Sequence, residues 1–476
     1  MSEQLVVGFD LDMTLIDTTV GFAAALEVLG EQLGVRFAVA EMTARLGPPL
    51  ELMLEPYLPA EQVPAAGDRF RAIYPDVAVE PVPALPGAQA ALAAVRRHGG
   101  RTVLVTGKHG PNAQLHVDHL GLDVDAVEGR VWGAGKGEVL TRQGAQVYVG
   151  DHVHDVEGAR AAGVSSVSVL TGGCTREELL AAGTDVVLED LTQFADWLDS
   201  FVLQRRLADL EAALREHDRL MVAFSGGADS AFLLAAAVRA LGADRVVAAT
   251  AYSDSLPASE RDPARAFAAS LGVRVETPQT REMDRPGYRA NDGDRCAFCK
   301  AELLDVLGPL AAELGVAAVA TGTNADDARA GFRPGIAAAA ERGAVTPLLD
   351  AGLTKQQVRA ASRAWELPTW DKPAAACLSS RVAFGIEITP ARLARVERAE
   401  AGLRAALEQA GHPVADLRVR DLGDAARVEV DRGLVDVAGD HLDVVRRAGF
   451  ASVEVDPLGF RSGSMNQLLD DPERYR

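Results

Sequence analysis

The sequence predicts an α/β protein built as two successive parallel-sheet domains and a small α+β module. Three observations carry that expectation. Short β-rich apolar runs alternate with helix-forming segments from Leu5 to Leu170, the same rhythm restarts at Leu220, and beyond about Pro373 it changes to one helix followed by alternating strands. Length agrees, since 476 residues suffice for two or three domains with full cores.

In chain order, the first domain takes strands from Leu5–Leu11, Thr102–Thr106, Gln146–Gly150 and Ser165–Leu170. A mostly helical insert, about residues 18–84, interrupts the rhythm after the first strand. Thr192–His217 reads as near-continuous helix with no Gly/Pro/Ser linker, so a stiff coupling is expected. The second domain takes strands from Leu220–Phe224, Arg245–Tyr252, Val273–Glu276 and Val316–Gly322. The closing module takes a helix from Pro390–Ala410 and strands from Asp416–Arg420, Ala426–Val430 and Ala451–Val455. The expected boundaries are 1–198, a helical linker 199–217, then 218–372 and 373–476.

Composition narrows the function classes. The formal charge of −20 repels phosphate backbones, so nonspecific nucleic-acid binding is disfavoured. No apolar run approaches membrane-spanning length and no leader pattern opens the chain, so a cytoplasmic protein without membrane association is expected. Four cysteines (Cys174, Cys296, Cys299, Cys377) are too few for a disulfide framework, which leaves metal binding or chemistry as their work.

Ser225-Gly226-Gly227-Ala228-Asp229-Ser230 follows a strand and opens a helix. Unpaired backbone N–H groups and the positive helix end then face one point, an anion cradle in which the glycines permit close approach and Ser225 and Ser230 add hydroxyls. Asp229 in such a loop can hold Mg²⁺ beside phosphates. No Gly-x-x-x-x-Gly-Lys-Ser/Thr run occurs, so this is not a Walker A loop. It resembles the pyrophosphate loop (PP-loop) of enzymes that adenylate a carbonyl oxygen with ATP.

At the end of the first strand, Asp10-Leu11-Asp12 sets two carboxylates on one side of extended chain, where one can attack phosphorus and the other can protonate a leaving oxygen. Thr106, Lys136 and the pair Asp151 and Asp155 follow in order at strand or helix ends. The set resembles the haloacid dehalogenase-like phosphatases over about residues 5–198. The resemblance implies a Rossmann-like domain with the insert as helical cap, Asp10 as nucleophile and Asp12 as acid/base. It further implies that Thr106 and Lys136 steady the phosphoryl group, and that Mg²⁺ is held by Asp10, Asp12, Asp151 and Asp155. His152 and His154 read as polar loop residues, since zinc would need a third ligand nearby. Cys174 reads as an incidental thiol.

Cys296-Ala297-Phe298-Cys299 and Cys377 supply three thiols with no His spaced as a fourth ligand, which fits zinc poorly and an iron–sulfur cubane with one open iron better. Arg295, Lys300 and Arg381 beside them are expected to favour thiolate. With the loop, these segments resemble the ATP-dependent sulfur transferases of the LarE type over about residues 205–476. Thr321–Asp327, Leu353–Lys355, Leu417–Arg420 and Arg461–Asn466 fit the same family. That resemblance implies adenylation of a pyridinium carboxylate mononucleotide and transfer of sulfur to it. Thr323, Asn324, Asp326 and Lys355 would stand near ATP or its metal, and Arg381, Arg418, Arg420 and Arg461 would clamp the substrate phosphate. A 4Fe–4S cluster on Cys296, Cys299 and Cys377 would carry the transferable sulfide. The alternatives are a sacrificial Cys377 without a cluster, and tRNA thiolation by a similar loop. Partners are then the nucleotide substrate, other pincer-nucleotide biosynthesis proteins and a second copy of the chain.

Overall fold

The structure is a computed structural model; residues 4–44, 46–329, 334–373 and 377–461 are described. The chain divides into two compact units, and the division falls between Val202 and Leu203, inside the helix Phe194–Arg215.

In the first unit, a six-stranded parallel sheet runs β3-β2-β1-β4-β5-β6, with β1 Val6–Phe9, β2 Arg101–Val105, β3 Ala126–Glu128, β4 Val147–Gly150, β5 Ser165–Val169 and β6 Val186–Leu188. Four of these were expected. The edge strands β3 and β6 were not, because each is three residues long and only partly buried, too brief to show a period. The central strands are buried on both faces and read as apolar runs, as parallel strands covered by helices do. Helices Thr19–Leu33, Val39–Thr43, Leu50–Leu54 and Val63–Val77 form the insert, around their own core of Leu26, Leu29, Leu54, Phe70 and Tyr74.

In the second unit, a four-stranded parallel sheet runs β10-β7-β8-β9, with β7 Leu220–Ala223, β8 Val246–Ala249, β9 Arg274–Glu276 and β10 Ala318–Thr321. A second, mixed sheet joins β11 Leu417–Asp421, β12 Ala425–Val430 and β13 Ser452–Val455. Here β11 and β12 are antiparallel, and β12 and β13 are parallel. Helix Pro390–Gln409 packs on that sheet through Leu393, Val396, Ala399, Leu403 and Leu407, the i, i+3, i+4 stripe of an amphipathic helix.

Strand order fixes where ligands go. In the first sheet the order reverses between β1 and β4, and in the second between β7 and β10. Open parallel sheets bind ligands just beyond the carboxyl ends of such strand pairs.

Candidate active sites

Asp10 leaves the end of β1 and Asp151 the end of β4, so the reversal point of the first sheet brings them together. Asp155 lies in the first turn of helix Val153–Ala162. Its Oδ2 accepts from the backbone N–H of Asp151 (3.2 Å) and His152 (3.1 Å), which folds the loop around it. Lys136, in the first turn of helix Gly135–Gln143, donates to Asp10 Oδ1 (2.8 Å), Asp155 Oδ1 (2.6 Å) and the Tyr148 hydroxyl (2.8 Å). Thr14 donates to Asp151 (2.9 Å).

Carboxylate oxygens of Asp10, Asp151 and Asp155 lie within 4.8 Å of one another, and all three residues are buried. Burial pushes the Asp10 carboxyl up to about 7 against the pull of Lys136, with Asp155 and Asp12 adding to the rise. Burial, then Asp155 and Asp10, raise Asp151 well above its ordinary range. Three buried acids around one ammonium are short of positive charge, and an all-oxygen donor set suits a hard divalent cation. The trio fits Mg²⁺.

Asp12 corrects the expected ligand set. Its carboxylate is outside the trio and accepts from Lys108 Nζ at 2.7 Å. The physical reason is that Lys108, beyond the end of β2, supplies the counter-charge that holds the Asp12 carboxylate. Asp12 still lines the same cavity of about 540 Å³ as Asp10, Thr106, Lys136, Asp151 and Asp155. Lys108 was missed in the sequence. The one signal was its place two residues after Thr106. His152 caps its helix, accepting from the His154 N–H at 3.3 Å, in keeping with a loop role. Cys174 is half-buried and unbridged, its thiol pushed up by burial.

In the second unit β7 empties into Ser225–Gly227, and helix Ala228–Leu241 begins at once. Gly226 has φ +76°, and a Cβ there would come 2.9 Å from the Ala264 methyl, so only glycine fits. Ser225 Oγ lies 3.1 Å from Ser230 Oγ, and Ser230 donates to the Gly227 carbonyl (3.1 Å), which holds the turn open. Asp229 is raised by burial and lowered by Lys355, and its Oδ1 is buried without a hydrogen-bond partner. An orphaned acid oxygen in an anion cradle fits the metal that accompanies a nucleotide.

Past β10, Thr323 and Lys355 reach the same cavity of about 490 Å³ as Ser225, Gly227, Asp229 and Ser230. Asn324 and Asp326 do not line it. Asn324 Oδ1 accepts from the N–H groups of Asp326 (3.0 Å) and Asp327 (3.1 Å), and Asp326 Oδ2 accepts from Lys355 N–H (2.8 Å). The Asn324 and Asp326 oxygens thus serve backbone donors that shape the turn and dock helix Lys355–Ala364, while the Asn324 side chain also hydrogen-bonds Asp229. Asp327 lines the cavity in their stead. Lys372 was also missed; it donates to the Gly226 carbonyl (2.9 Å) and to Glu260 (2.6 Å).

Cys299 and Cys377 line this cavity with the glycine loop. Cys296, three residues earlier on helix Arg295–Glu313, is exposed and does not line it. The expected thiolate bias is absent at Cys299. Burial pushes that thiol up, Cys377, Glu282 and Cys296 push the same way, and only Lys300 opposes. Arg295 is occupied instead with the Asn291 side chain and the Ser379 carbonyl, and Arg381 with Glu400 (3.0 Å) and the Cys377 carbonyl (3.0 Å).

The chain matches the family model of haloacid dehalogenase-like hydrolases over residues 7–160 and a HAD-hydrolase-like model over 138–194. It is 29% identical over 212 residues to a phosphoglycolate phosphatase of Caulobacter vibrioides, covering 38% of this chain and 85% of that protein. An uncharacterized protein of Synechocystis sp. is 42% identical over 274 residues, 56% of this chain and 99% of that protein. The pyridinium-3,5-bisthiocarboxylic acid mononucleotide synthase of Lactiplantibacillus plantarum is 36% identical over 274 residues, 56% of this chain and 96% of that protein. The chain belongs to the LarE-type sulfur transferase family. It carries a haloacid dehalogenase-like domain fused ahead of the LarE-type part, and it is an enzyme: a sulfur transferase with a fused phosphohydrolase.

In the LarE-type part the four expected phosphate-clamping arginines are all engaged with protein groups. Arg420 donates to Glu429 (2.7 Å) and to the Ser380 carbonyl (3.2 Å), Arg418 to the Leu417 carbonyl (2.7 Å), and Arg461 to Asp456 (3.1 Å). Arg381, Arg418 and Arg420 are buried, and none of the four lines the cavity. Burial, then the like charge of Arg381, lowers Arg418. Residues 374–376 and 462–466 of the LarE segments lie outside the described residues. Among the described residues no helix is long and apolar enough to cross a membrane.

Proposed function

We propose that the LarE-type part adenylates a pyridinium carboxylate mononucleotide with ATP and passes sulfur to it, and that the first domain is a Mg²⁺-dependent phosphatase. One observation supports the sulfur reading above the others: the Ser225–Ser230 loop and the thiols of Cys299 and Cys377 line a single cavity. An activated acyl group made at the loop would meet sulfur without leaving it.

The carboxylate oxygen of the substrate attacks the α-phosphorus, and pyrophosphate departs into the amides and hydroxyls of Ser225, Gly227 and Ser230. Lys355 and Lys372 offer cations to the departing charge, and Asp229 would hold the accompanying Mg²⁺. A sulfur nucleophile from the thiol wall then attacks the acyl carbon and AMP leaves. Cys296 and Cys299 stand about one helical turn apart, Cys299 and Cys377 share a wall, and such a set suits a 4Fe–4S cluster on three thiols. Bound there, that cluster supplies an open iron for exchangeable sulfide. Thiols of this kind need the reducing cytoplasm.

In the first domain the Asp10 carboxylate attacks the phosphorus and Asp12 protonates the departing oxygen. Asp12 then takes a proton from the water that hydrolyses the aspartyl phosphate, while Lys136 and Thr106 neutralise and bind the phosphoryl oxygens. Asp10, Asp151 and Asp155 would hold Mg²⁺, which supplies charge neutralisation at the transferring group.

The test is anaerobic purification with iron and sulfide analysis, then incubation with ATP and pyridinium-3,5-dicarboxylic acid mononucleotide. The expected result is AMP, pyrophosphate and a thiocarboxylate product, all lost in Ser225→Ala/Asp229→Asn. ATP turnover without any thiocarboxylate product would overturn the sulfur reading, and an iron-free protein making one thiocarboxylate per chain would replace the cluster with sacrificial Cys377.

A further inference from the structure

The cavity above Asp10 is far larger than phosphoryl transfer alone requires. Its volume, about 540 Å³, is that of pockets enclosing a whole small-molecule ligand. One wall is a ladder of three rings. The Trp132 and His154 centroids are 4.0 Å apart with their planes tilted by 49°, and His154 stacks on His152 at 4.8 Å and 25°. All three line the cavity, and Trp132 keeps 37% of its surface exposed. The cap closes on this wall: Trp132 donates its indole N–H to the Gly47 carbonyl (3.1 Å), and a Cβ on Gly47 (φ +140°) would strike the His152 ring at 2.7 Å. The ladder is thus held in place while a face stays open.

Two residues before Trp132, Arg130 also lines the cavity. Its φ is +59°, in the left-handed region that non-glycine residues seldom adopt. Arg71, the neighbouring cation, is committed to Glu51 and Asp68, and Lys108 to Asp12. Arg130 makes no salt bridge among the described residues, and its charge acts on Glu51 and His109. An aromatic face and a guanidinium therefore border the same cavity as Asp10.

Resting on the phosphatase reading above, we propose that this cavity selects phosphomonoesters whose alcohol carries an aromatic ring bearing a carboxylate, the class of acidic pyridine mononucleotides. The ring stacks on the open face of Trp132, Arg130 pairs with the carboxylate, and the phosphate meets Asp10. Water enters, the bond from phosphorus to the ester oxygen breaks, and the products are a nucleoside and orthophosphate.

The experiment measures phosphate release by the full chain with Mg²⁺ and no ATP from four esters: nicotinic acid mononucleotide, nicotinamide mononucleotide, p-nitrophenyl phosphate and 2-phosphoglycolate. We expect kcat/KM for nicotinic acid mononucleotide to exceed that for 2-phosphoglycolate by about tenfold or more, the scale of one ring-stacking contact. Trp132→Ala should lower the mononucleotide values about tenfold more than the 2-phosphoglycolate value, and Trp132→Phe should restore most of the difference. Arg130→Gln should bring the acid-to-amide ratio of the two mononucleotides close to one. Hydrolysis of p-nitrophenyl phosphate with no preference among the others, or variants that depress every ester alike, overturns this assignment and leaves the phosphatase reading standing. No turnover of any ester overturns both.

Discussion

Lys136 is the residue on which the phosphatase centre balances. Its ammonium answers Asp10 and Asp155 together, yet Asp151 adds a third buried acid that it does not reach by hydrogen bond. Removing one negative charge should therefore relieve the fold while ending the chemistry. Asp10→Asn is expected to cut phosphate release by about a thousandfold or more and to raise the thermal midpoint measured without metal; a variant that keeps its activity would deny Asp10 the nucleophile's part. A second prediction concerns His116, fully buried on helix Gly110–Leu120 with Nε2 3.0 Å from the Tyr74 hydroxyl. Burial, helped by Lys108, lowers its pKa to about 4. Between about pH 6.5 and pH 4 the unfolded chain takes up a proton that the folded chain refuses, so stability falls as pH falls through that window, by roughly 3 kcal/mol at its foot. Urea unfolding at several pH values checks this, with His116→Asn flattening the dependence. At this scale the sequence was legible where chemistry clusters locally, as in Asp10–Asp12 and Ser225–Ser230. Lys108 and Lys372 were not, because each is a lone lysine whose partners (Asp12, 96 positions away, and Gly226, 146 away) only the fold brings near.

Strand ends and helix starts carry nearly every functional group in both units, which is why strand-to-turn junctions in the sequence pointed to them. The turn after β7 is the most constrained. Gly226→Ala meets both a left-handed φ and the Ala264 methyl; a stability loss of about 1–3 kcal/mol is expected, with ATP-dependent AMP formation falling further than stability alone explains. Chemical denaturation beside an AMP assay separates the two effects. Helix Lys355–Ala364 starts with a capping box of Thr354 and Gln357, and Thr354→Ala should cost about 1 kcal/mol and loosen Lys355. Unfolding that is unaltered, with an unaltered KM for ATP, would count against that role. Asp326 shows where element-level reading misleads: a residue adjacent to a binding turn can be consumed in building it.

At the scale of the whole chain, each unit owns a core: Val7, Phe9, Leu104 and Val149 anchor one, and Val222, Phe232, Leu234 and Ala248 the other. Unfolding of such a chain should depart from two-state behaviour, the calorimetric enthalpy exceeding the van't Hoff value. Equality of the two enthalpies would mean that the cores melt as one. The order of domains was legible because parallel sheets covered on both faces leave continuous apolar runs. The mixed sheet β11-β12-β13 showed only as alternation, since its pairing directions depend on connections that no local pattern encodes.

Cys377 is moored by its carbonyl oxygen. The Ser380 hydroxyl (2.7 Å), the Ser380 N–H (2.9 Å) and the Arg381 guanidinium (3.0 Å) all donate to it, and the next residue's N–H is tied to Ser255 (2.9 Å). The scaffold thus grips the peptide and leaves the sulfur atom out of its architecture. A chain stripped of that one atom is expected to keep its shape, the condition that a spent or reloaded sulfur donor at this position would need.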